Sequence, residues 1–311
     1  MDGVLIIDKP AGMTSHDVVA RVRSIVSERR VGHTGTLDPF ATGVLVILVG
    51  RATRLAQYLS GADKEYVAVI RLGYATDTGD VTGTRIDTET KGHTEIRREE
   101  IEAALASLRG EIEQTPPMYS AKKIAGRKLY ELARRGEEVE RKPVRVTVRE
   151  FEAIAPDGEP LLTANDDGSR DLKVRVVCSA GTYIRTLAED FGKHLGLGAH
   201  VAALRRTRAG RFTVADALTL ERLGELAESV KIETALISPD AAMAHLPAVS
   251  LSADDVSRTL HGVDMRMDDV EARSWPDGQP VRMRDAGGDL IAVGIYDERR
   301  SALHPNVVIA G

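Results

Sequence analysis

The segment richest in potential chemistry is a Gly-rich loop, Val31-Gly-His-Thr-Gly-Thr-Leu-Asp-Pro-Phe-Ala-Thr-Gly-Val44, that feeds an apolar strand. Asp38 stands directly before Pro39, whose ring fixes one backbone angle and restricts the residue ahead of it. A carboxylate on a stiffened loop at a strand mouth can be aimed at a ligand as a nucleophile. It can equally close an Asx-turn on its own backbone. The loop lacks the Gly-Lys-Ser/Thr ending of a phosphate-binding P-loop. His33 has no second His or Cys at ligand spacing, so no metal site is expected. In Cys178-Ser-Ala-Gly-Thr-Tyr-Ile-Arg-Thr-Leu187, Arg185 falls in the first turn of a helix. A cation there opposes the helix dipole by about 0.3–1 kcal/mol. A carboxylate held through two hydrogen bonds offsets that, and Asp38 is the candidate partner; the plainer reading is an exposed Arg with its head in water. Lys64-Glu-Tyr66 opens a strand, and its Tyr can stack on a base, move a proton or simply sit half-buried. Asp8-Lys-Pro-Ala-Gly-Met-Thr-Ser-His16 carries Lys9 ahead of a Pro-Gly turn. Residue types alone thus describe an Asp–Arg–Tyr site without naming a reaction.

Several elements must position these residues. Gly3–Asp8, Val44–Val49, Tyr66–Leu72, Val144–Ile154 and Lys173–Ser179 read as strands. Val18, Val19, Val22, Ile25 and Val26 form a helical stripe behind a Thr14/Asp17 capping pattern. Ile101, Leu105 and Leu108 form a second stripe, stopped by Gly110; Ile184, Leu187, Ala188, Phe191 and Leu195 form a third, closed by Gly196. Gln114–Pro143 is basic, opens with Pro116–Pro117 and contains one helical stretch around Lys128–Arg134, so it reads as an excursion from the core. Pro156–Arg170 reads as a polar loop. Strands and helices do not alternate regularly, which predicts an α+β fold: a mixed, largely antiparallel central sheet flanked by helices and loops. A boundary is expected near residue 245, with 1–245 as the larger domain, an insertion at about 114–143, and a small β-rich module over 246–311. Leu220–Glu228 is expected to be a helix between the two.

The chain has 311 residues, of which 42% are hydrophobic, 29% charged and 4% aromatic. That composition excludes wholesale disorder and a collagen-like chain. The longest apolar run, Val44–Val49, is far short of the ~20 residues of a membrane helix. No signal-like stretch opens the sequence, and a single cysteine, Cys178, excludes an internal disulfide, so the cytoplasm is expected. The net charge of −5 conceals an asymmetry: residues from Phe212 onward carry 9 Lys and Arg against 17 Asp and Glu, whereas Tyr119–Arg149 carries 10 basic and 4 acidic residues. Arg205, Arg206, Arg208 and Arg211 make a second basic cluster. Such stripes on an acidic whole suit an enzyme that grips a nucleic acid along one face, although solvated helix faces look the same.

The four segments, in this order, resemble the bacterial tRNA pseudouridine 55 synthase family, which isomerises one uridine in the tRNA T-loop. The resemblance runs from about Gly3 to Phe212 and also takes in Gln114–Tyr130 and His200–Arg206. It implies a catalytic domain with an RNA-gripping insertion and a C-terminal PUA-like module. It implies that Asp38 is the nucleophile, Tyr66 the stacking Tyr and Arg185 the partner of the catalytic Asp. Tyr183 and Leu204 match positions that wall the uridine pocket, with Ile184 beside them. His33 matches the side chain that fills the space the flipped base vacates, and Lys9 matches the Lys of the first motif, a substrate-side position. Lys122, Lys123, Arg127, Lys128, Arg205 and Arg206 are the expected phosphate contacts. No cofactor is implied, because the reaction has no redox change and no net hydrolysis. Arg185 is expected to keep Asp38 ionised.

The resemblance further implies tRNA as the partner, no membrane, no obligatory protein partner and a monomer. The acidic C-terminal stretch departs from what an RNA-binding module would carry, and little phosphate contact is expected from it. The guide-RNA-dependent branch has basic tails that this chain lacks. A tRNA elbow-opening chaperone without chemistry would not need Asp38, Tyr66 and Arg185 together. A uracil glycosylase needs an activated water, and no second carboxylate stands in a matching motif.

Overall fold

A computed structural model describes residues 1–86, 96–120, 122–124, 126–129, 132, 135–137, 139–155, 160–267 and 275–310. Val4–Ile7 and Val44–Val49 are apolar at every position, so strands built from them must be covered on both faces. Strand β1 (Gly3–Lys9) pairs antiparallel with β3 (Thr42–Val49), and β2 (Val31–Thr34) pairs with the same strand. Leu5, Ile7, Leu45 and Ile47 face helix α1 (Ser15–Val26), while Val4, Ile6, Val44 and Val46 face Phe212 and Ala242 on the other side. Thr14 and Asp17 close the predicted capping box at the start of α1.

The sheet continues through β4 (Lys64–Leu72), β5 (Gly110–Gln114), β6 (Val144–Ala153), β7 (Leu162–Ala164), β8 (Arg170–Cys178), β9 (Ala199–Ala209) and β10 (Phe212–Thr213). Its backbone order is β1-β3-β9-β4-β8-β6-β5, with the three remaining strands on its flanks, ten in all. Pairing is antiparallel except at one joint, where Arg205 and Arg206 of β9 lie parallel to Thr42 and Gly43 of β3. Gly43 has φ +101°, and a Cβ there would overlap the Arg206 carbonyl oxygen, so the close approach of these strands needs glycine. Helices α2 (Arg98–Ser107) and α3 (Ile184–His194) cover Ile70, Leu172, Val174 and Val176 with Ile101, Leu105, Leu187 and Phe191.

Beyond helix α4 (Leu220–Glu228), a separate five-stranded sheet holds Ala248–Ser250, Met265–Arg266, Pro280–Arg284, Leu290–Asp297 and Ala302–Val308. Helix α5 (Ala253–Leu260), capped by Ser252, lies beside it. It is fastened to the first body by Leu290, Val293 and Ile309 against Ala52, Leu55 and Met243. Arg54 Nη1 donates to Val308 O at 2.8 Å, and Asn306 Nδ2 to the Tyr58 hydroxyl at 2.8 Å.

Three expectations are corrected. Helix α4 does not lie between the two sheets: Leu220 and Leu223 pack with Val18 and Val22 of α1, because its apolar stripe completes the cover over β1. Leu162–Ala164, expected in a loop, pairs with Arg170–Leu172 as a hairpin. Of the second basic cluster, Arg205, Arg206 and Arg208 belong to β9, a strand in the middle of the sheet and not a solvated helix face, and Arg211 follows that strand. The helical stretch expected at 128–134 lies largely outside the described residues. Nearby, Lys123–Ile124 pairs with Arg127–Lys128, and Leu129 and Leu132 are buried. Among the described residues no helix is long and apolar enough to cross a membrane.

Candidate active site

The loop before β3 is bracketed by the first sixteen residues. The Ser15 hydroxyl accepts from Leu37 N at 2.9 Å and donates to Leu37 O at 3.1 Å, and Gly12 N donates to Pro39 O at 2.8 Å. Lys9 is fully buried, and its ammonium donates to Pro10 O, Met13 O and Pro39 O at 2.8, 2.6 and 3.2 Å. An ammonium has three donors, and all three are taken. Lys9 therefore fastens the Asp38 loop and has no path to a substrate, which corrects its expected substrate-side role. Burial holds its pKa down at about 8. From the other side Arg206, 1% exposed, donates from Nε to Val44 O at 2.7 Å and from Nη2 to Gly35 O at 3.0 Å. Such burial also corrects its expected place on the phosphate-facing surface.

Held in this way, Asp38 meets Arg185 through two contacts: Nε to Oδ2 at 2.9 Å and Nη2 to Oδ1 at 3.2 Å. Arg185 is positioned by the start of α3, where Gln114, fully buried, grips the Tyr183 backbone at both N and O. Its remaining donors reach Thr78 O at 2.9 Å and Tyr119 O at 2.6 Å. A second carboxylate, Asp80, which is buried, stands 3.6 Å from Arg185 Nη1. Asp80 is itself held by the Thr78 hydroxyl and by Thr82 N and Oγ1. Burial drives the Asp38 carboxyl above its ordinary pKa. The Arg185 charge pulls it back and the Asp80 charge pushes it further up, so the net shift is upward. Arg185 thus limits the rise without reversing it, acting in the direction expected of a cation that favours the ionised carboxylate.

Asp38, Tyr66, Tyr183, Ile184, Arg185 and Leu204 line one cavity of about 270 Å³. Lys64, Arg206, Ser120 and Lys122 line it as well. The volume is close to the lower end of the range for ligand sites, ~300–1,000 Å³. Tyr66 is 8% exposed, and burial raises its pKa. Tyr183 is half-buried, with its pKa also raised by burial. Two phenol rings, an isoleucine and a leucine therefore form an aromatic and aliphatic wall opposite a paired carboxylate. Such a site can stack a planar base while a carboxylate meets the attached sugar. A larger hollow of about 540 Å³ between Asp2, Glu28, Arg30, Arg51 and Arg54 has no aromatic wall.

Of the other expected residues, His33 and Arg205 fall outside this cavity. His33 is half-buried beside His16, ring centroids 5.5 Å apart, with Nδ1 unpartnered and burial lowering its pKa to about 4. Arg127 is exposed, and Lys122 stands at the cavity. Lys123 and Lys128 lie on the short hairpin. Arg205 pairs with Asp8 at 2.7 Å, so a phosphate would have to compete with that carboxylate. Sequence reading missed Asp80, Gln114 and Lys64. The run Thr76-Asp-Thr-Gly-Asp80 was the available signal for Asp80, since Thr and Gly around an acid make a self-bonded turn.

Residues 23–184 match the profile described as TruB family pseudouridylate synthase (N terminal domain), and residues 185–243 that of the tRNA pseudouridylate synthase B C-terminal domain. The chain belongs to the TruB family of pseudouridylate synthases, enzymes of the isomerase class. Among its relatives, the tRNA pseudouridine synthase B of Geobacillus thermodenitrificans is 46% identical over 86% of each chain. That of Thermobifida fusca is 44% identical over 100% of this chain and 99% of its own. A chain of an H/ACA RNP bound to a substrate RNA containing 2′-deoxyuridine superposes with TM-score 0.73 and 26% identity, covering 99% of this chain and 85% of that one. A Cbf5-Nop10-Gar1 complex contains a chain with TM-score 0.72 and 28% identity, covering 99% and 84%.

Proposed function

We propose that this chain isomerises uridine 55 in the tRNA T-loop to pseudouridine, acting as a monomer in the cytoplasm without an obligatory protein partner. The observation that carries this reading is the two-contact pairing of Asp38 with Arg185 inside a cavity walled by Tyr66 and Tyr183. The tRNA pseudouridine synthase B names of the relatives support tRNA as the substrate.

Isomerisation cuts the bond between uracil N1 and ribose C1′, turns the base and rejoins it through C5. Asp38 is the nucleophile. The residues leave three places for it to act: C1′, uracil C6, or the proton whose loss gives a glycal. Arg185 fixes the carboxylate's direction. Tyr66, Tyr183, Ile184 and Leu204 retain the detached uracil and exclude water. Tyr66 or a water takes the C5 proton at the end. The stacked target base must first be flipped out at a cost of a few kcal/mol; His33, outside the cavity, enters the vacated space. Lys122, Lys123, Arg127 and Lys128 meet the T-loop backbone.

The test is incubation of the chain alone with unmodified tRNA transcript, followed by chemical mapping of pseudouridine. One product at position 55 is expected, and Asp38→Asn lowers the rate by on the order of 10³-fold or more. An elbow-opening chaperone would keep its full effect in Asp38→Asn. Absence of product from the wild-type chain sinks the reading.

A further inference from the structure

Two cations of the cavity have no part in the Asp38–Arg185 pair. Lys64 is 7% exposed and Arg206 1%, both line the hollow, and among the described residues neither makes an ion pair with a carboxylate. Burying an uncompensated charge is expensive, so a pair of them calls for a ligand that compensates.

Counting donors shows where they are directed. Lys9, elsewhere in the same body, gives all three of its donors to carbonyls. Lys64 gives two, to Ser60 O at 2.6 Å and Ala62 O at 2.5 Å, and keeps one. Arg206 gives Nε and Nη2 to the two ends of the Asp38 loop, and its side chain also reaches the Tyr66 hydroxyl. The two side chains converge at Gly35. A Cβ at that position would lie 3.5 Å from Arg206 Nη1 and 3.7 Å from Lys64 Cε. The loop thus has no side chain at the point where both cations meet, three residues before Asp38.

We propose that Lys64 and Arg206 are catalytic residues that hold the negative charge uracil acquires during the reaction. The inference rests on the function proposed for the Asp38 site and is the same for each of its three routes. In displacement, an Asp38 oxygen bonds to C1′ and the C1′–N1 bond breaks. Its electron pair stays with uracil, shared by N1, O2 and O4. In the glycal route the C2′ proton passes to Asp38, C1′ and C2′ become doubly bonded, and the same pair stays with uracil. In addition at C6, an Asp38 oxygen bonds to C6 and the C5–C6 π pair moves onto O4. Each route loads a uracil oxygen with charge in a site where water is excluded and fixed donors act strongly. When C5 bonds to C1′ and Asp38 is released, or returns its proton to C2′, the ring is neutral again; the C5 proton is then lost and N1 gains one.

Lys64 titrates in a useful range. Burial and the Arg206 charge bring its pKa down to about 8, while Cys178 and Asp63 pull the other way. Asp38, Tyr66, Tyr183, Arg185 and Lys122 share the cavity with it. The ammonium is present below that pKa and lost above it, so wild-type single-turnover rates should fall as pH rises through about 8. Lys9, also near 8, is the competing source of such a limb.

The experiment measures single-turnover rate from pH 6 to 10 and tRNA affinity for the full wild-type chain, Lys64→Met and Lys64→Arg. Lys64→Met should lower the rate by about 10²-fold with affinity within about threefold. Lys64→Arg should restore most of the rate and remove the alkaline fall, since guanidinium stays charged. A Lys64→Met rate within threefold of wild type, or an alkaline fall that persists in Lys64→Arg, overturns the proposal. If Lys64→Met does not fold, the wild-type and Lys64→Arg profiles decide alone. A wild-type chain that makes no pseudouridine refutes the parent reading; an active wild type with an indifferent Lys64 refutes only this one.

Discussion

Among the described residues, the ten-stranded sheet and its loops bury five charged side chains, Lys9, Lys64, Asp80, Arg185 and Arg206, whereas the five-stranded sheet buries Val281, Met283, Ile291 and Leu303. Among the described residues of that second body, Thr259 is the one buried polar side chain. Apolar burial stabilises by about 25 cal/mol per Å² and places no demand on partners. A buried ion costs several kcal/mol before its partners repay it. The two bodies therefore differ in what they do. One concentrates its unfavourable charges around a single cavity, and the other supplies ordinary packing and a docking face. Substitutions in the first should change rate, and in the second stability.

The strongest way to break this contrast is Asp80→Asn. Asp80 stands 3.6 Å from Arg185 and, on the mechanism proposed above, positions the Asp38 pair. Slackening that pair should lower the single-turnover rate by about 10²-fold, as small misplacements of reacting groups do, with tRNA affinity within about threefold. A rate near wild type would show that the buried charges are incidental.

A second measurement sharpens it. Asp38 must be ionised to act, and its pKa lies above the ordinary value of ~3.9. The rate should therefore fall about tenfold per pH unit below a midpoint higher than that value. Arg185→Met removes the charge that opposes the rise, so the midpoint should move up. An acid limb at or below the ordinary value contradicts the burial account. The smallest expected effect on rate is that of Leu303→Ala, in the second sheet. It should cost about 2–5 kcal/mol of stability by chemical denaturation. The rate of the folded fraction should stay within about twofold.

Most of the fold could be read where one rule decided the matter. Thr14 with Asp17 and the stripe from Val18 predicted α1, and the apolar run at Val44–Val49 predicted a strand covered on both faces. β9 escaped because Arg205, Arg206 and Arg208 read as a surface cluster, whereas Arg206 is buried and the other two are only partly exposed. The helix-start cation made Asp38 a candidate partner for Arg185 and left an exposed Arg185 open; the pairing itself was what the family resemblance implied. The assignments of Lys9 and Arg206 failed. A charged residue type points by default to solvent or ligand, and only three-dimensional packing shows that its donors end on the carbonyls of a loop. Asp80 was out of reach because its partner lies 105 positions away and its own neighbours satisfy it as a local turn would.

The bond from Arg206 to Gly35 spans 171 residues. At synthesis rates of ~5–20 residues per second, roughly 10–30 s separate the two ends of that bond on the ribosome. Through most of that interval the nascent chain carries Asp38 without the far clasp, the guanidinium partner or the middle strand. On the mechanism proposed above, the chain is therefore chemically silent until β9 has been made.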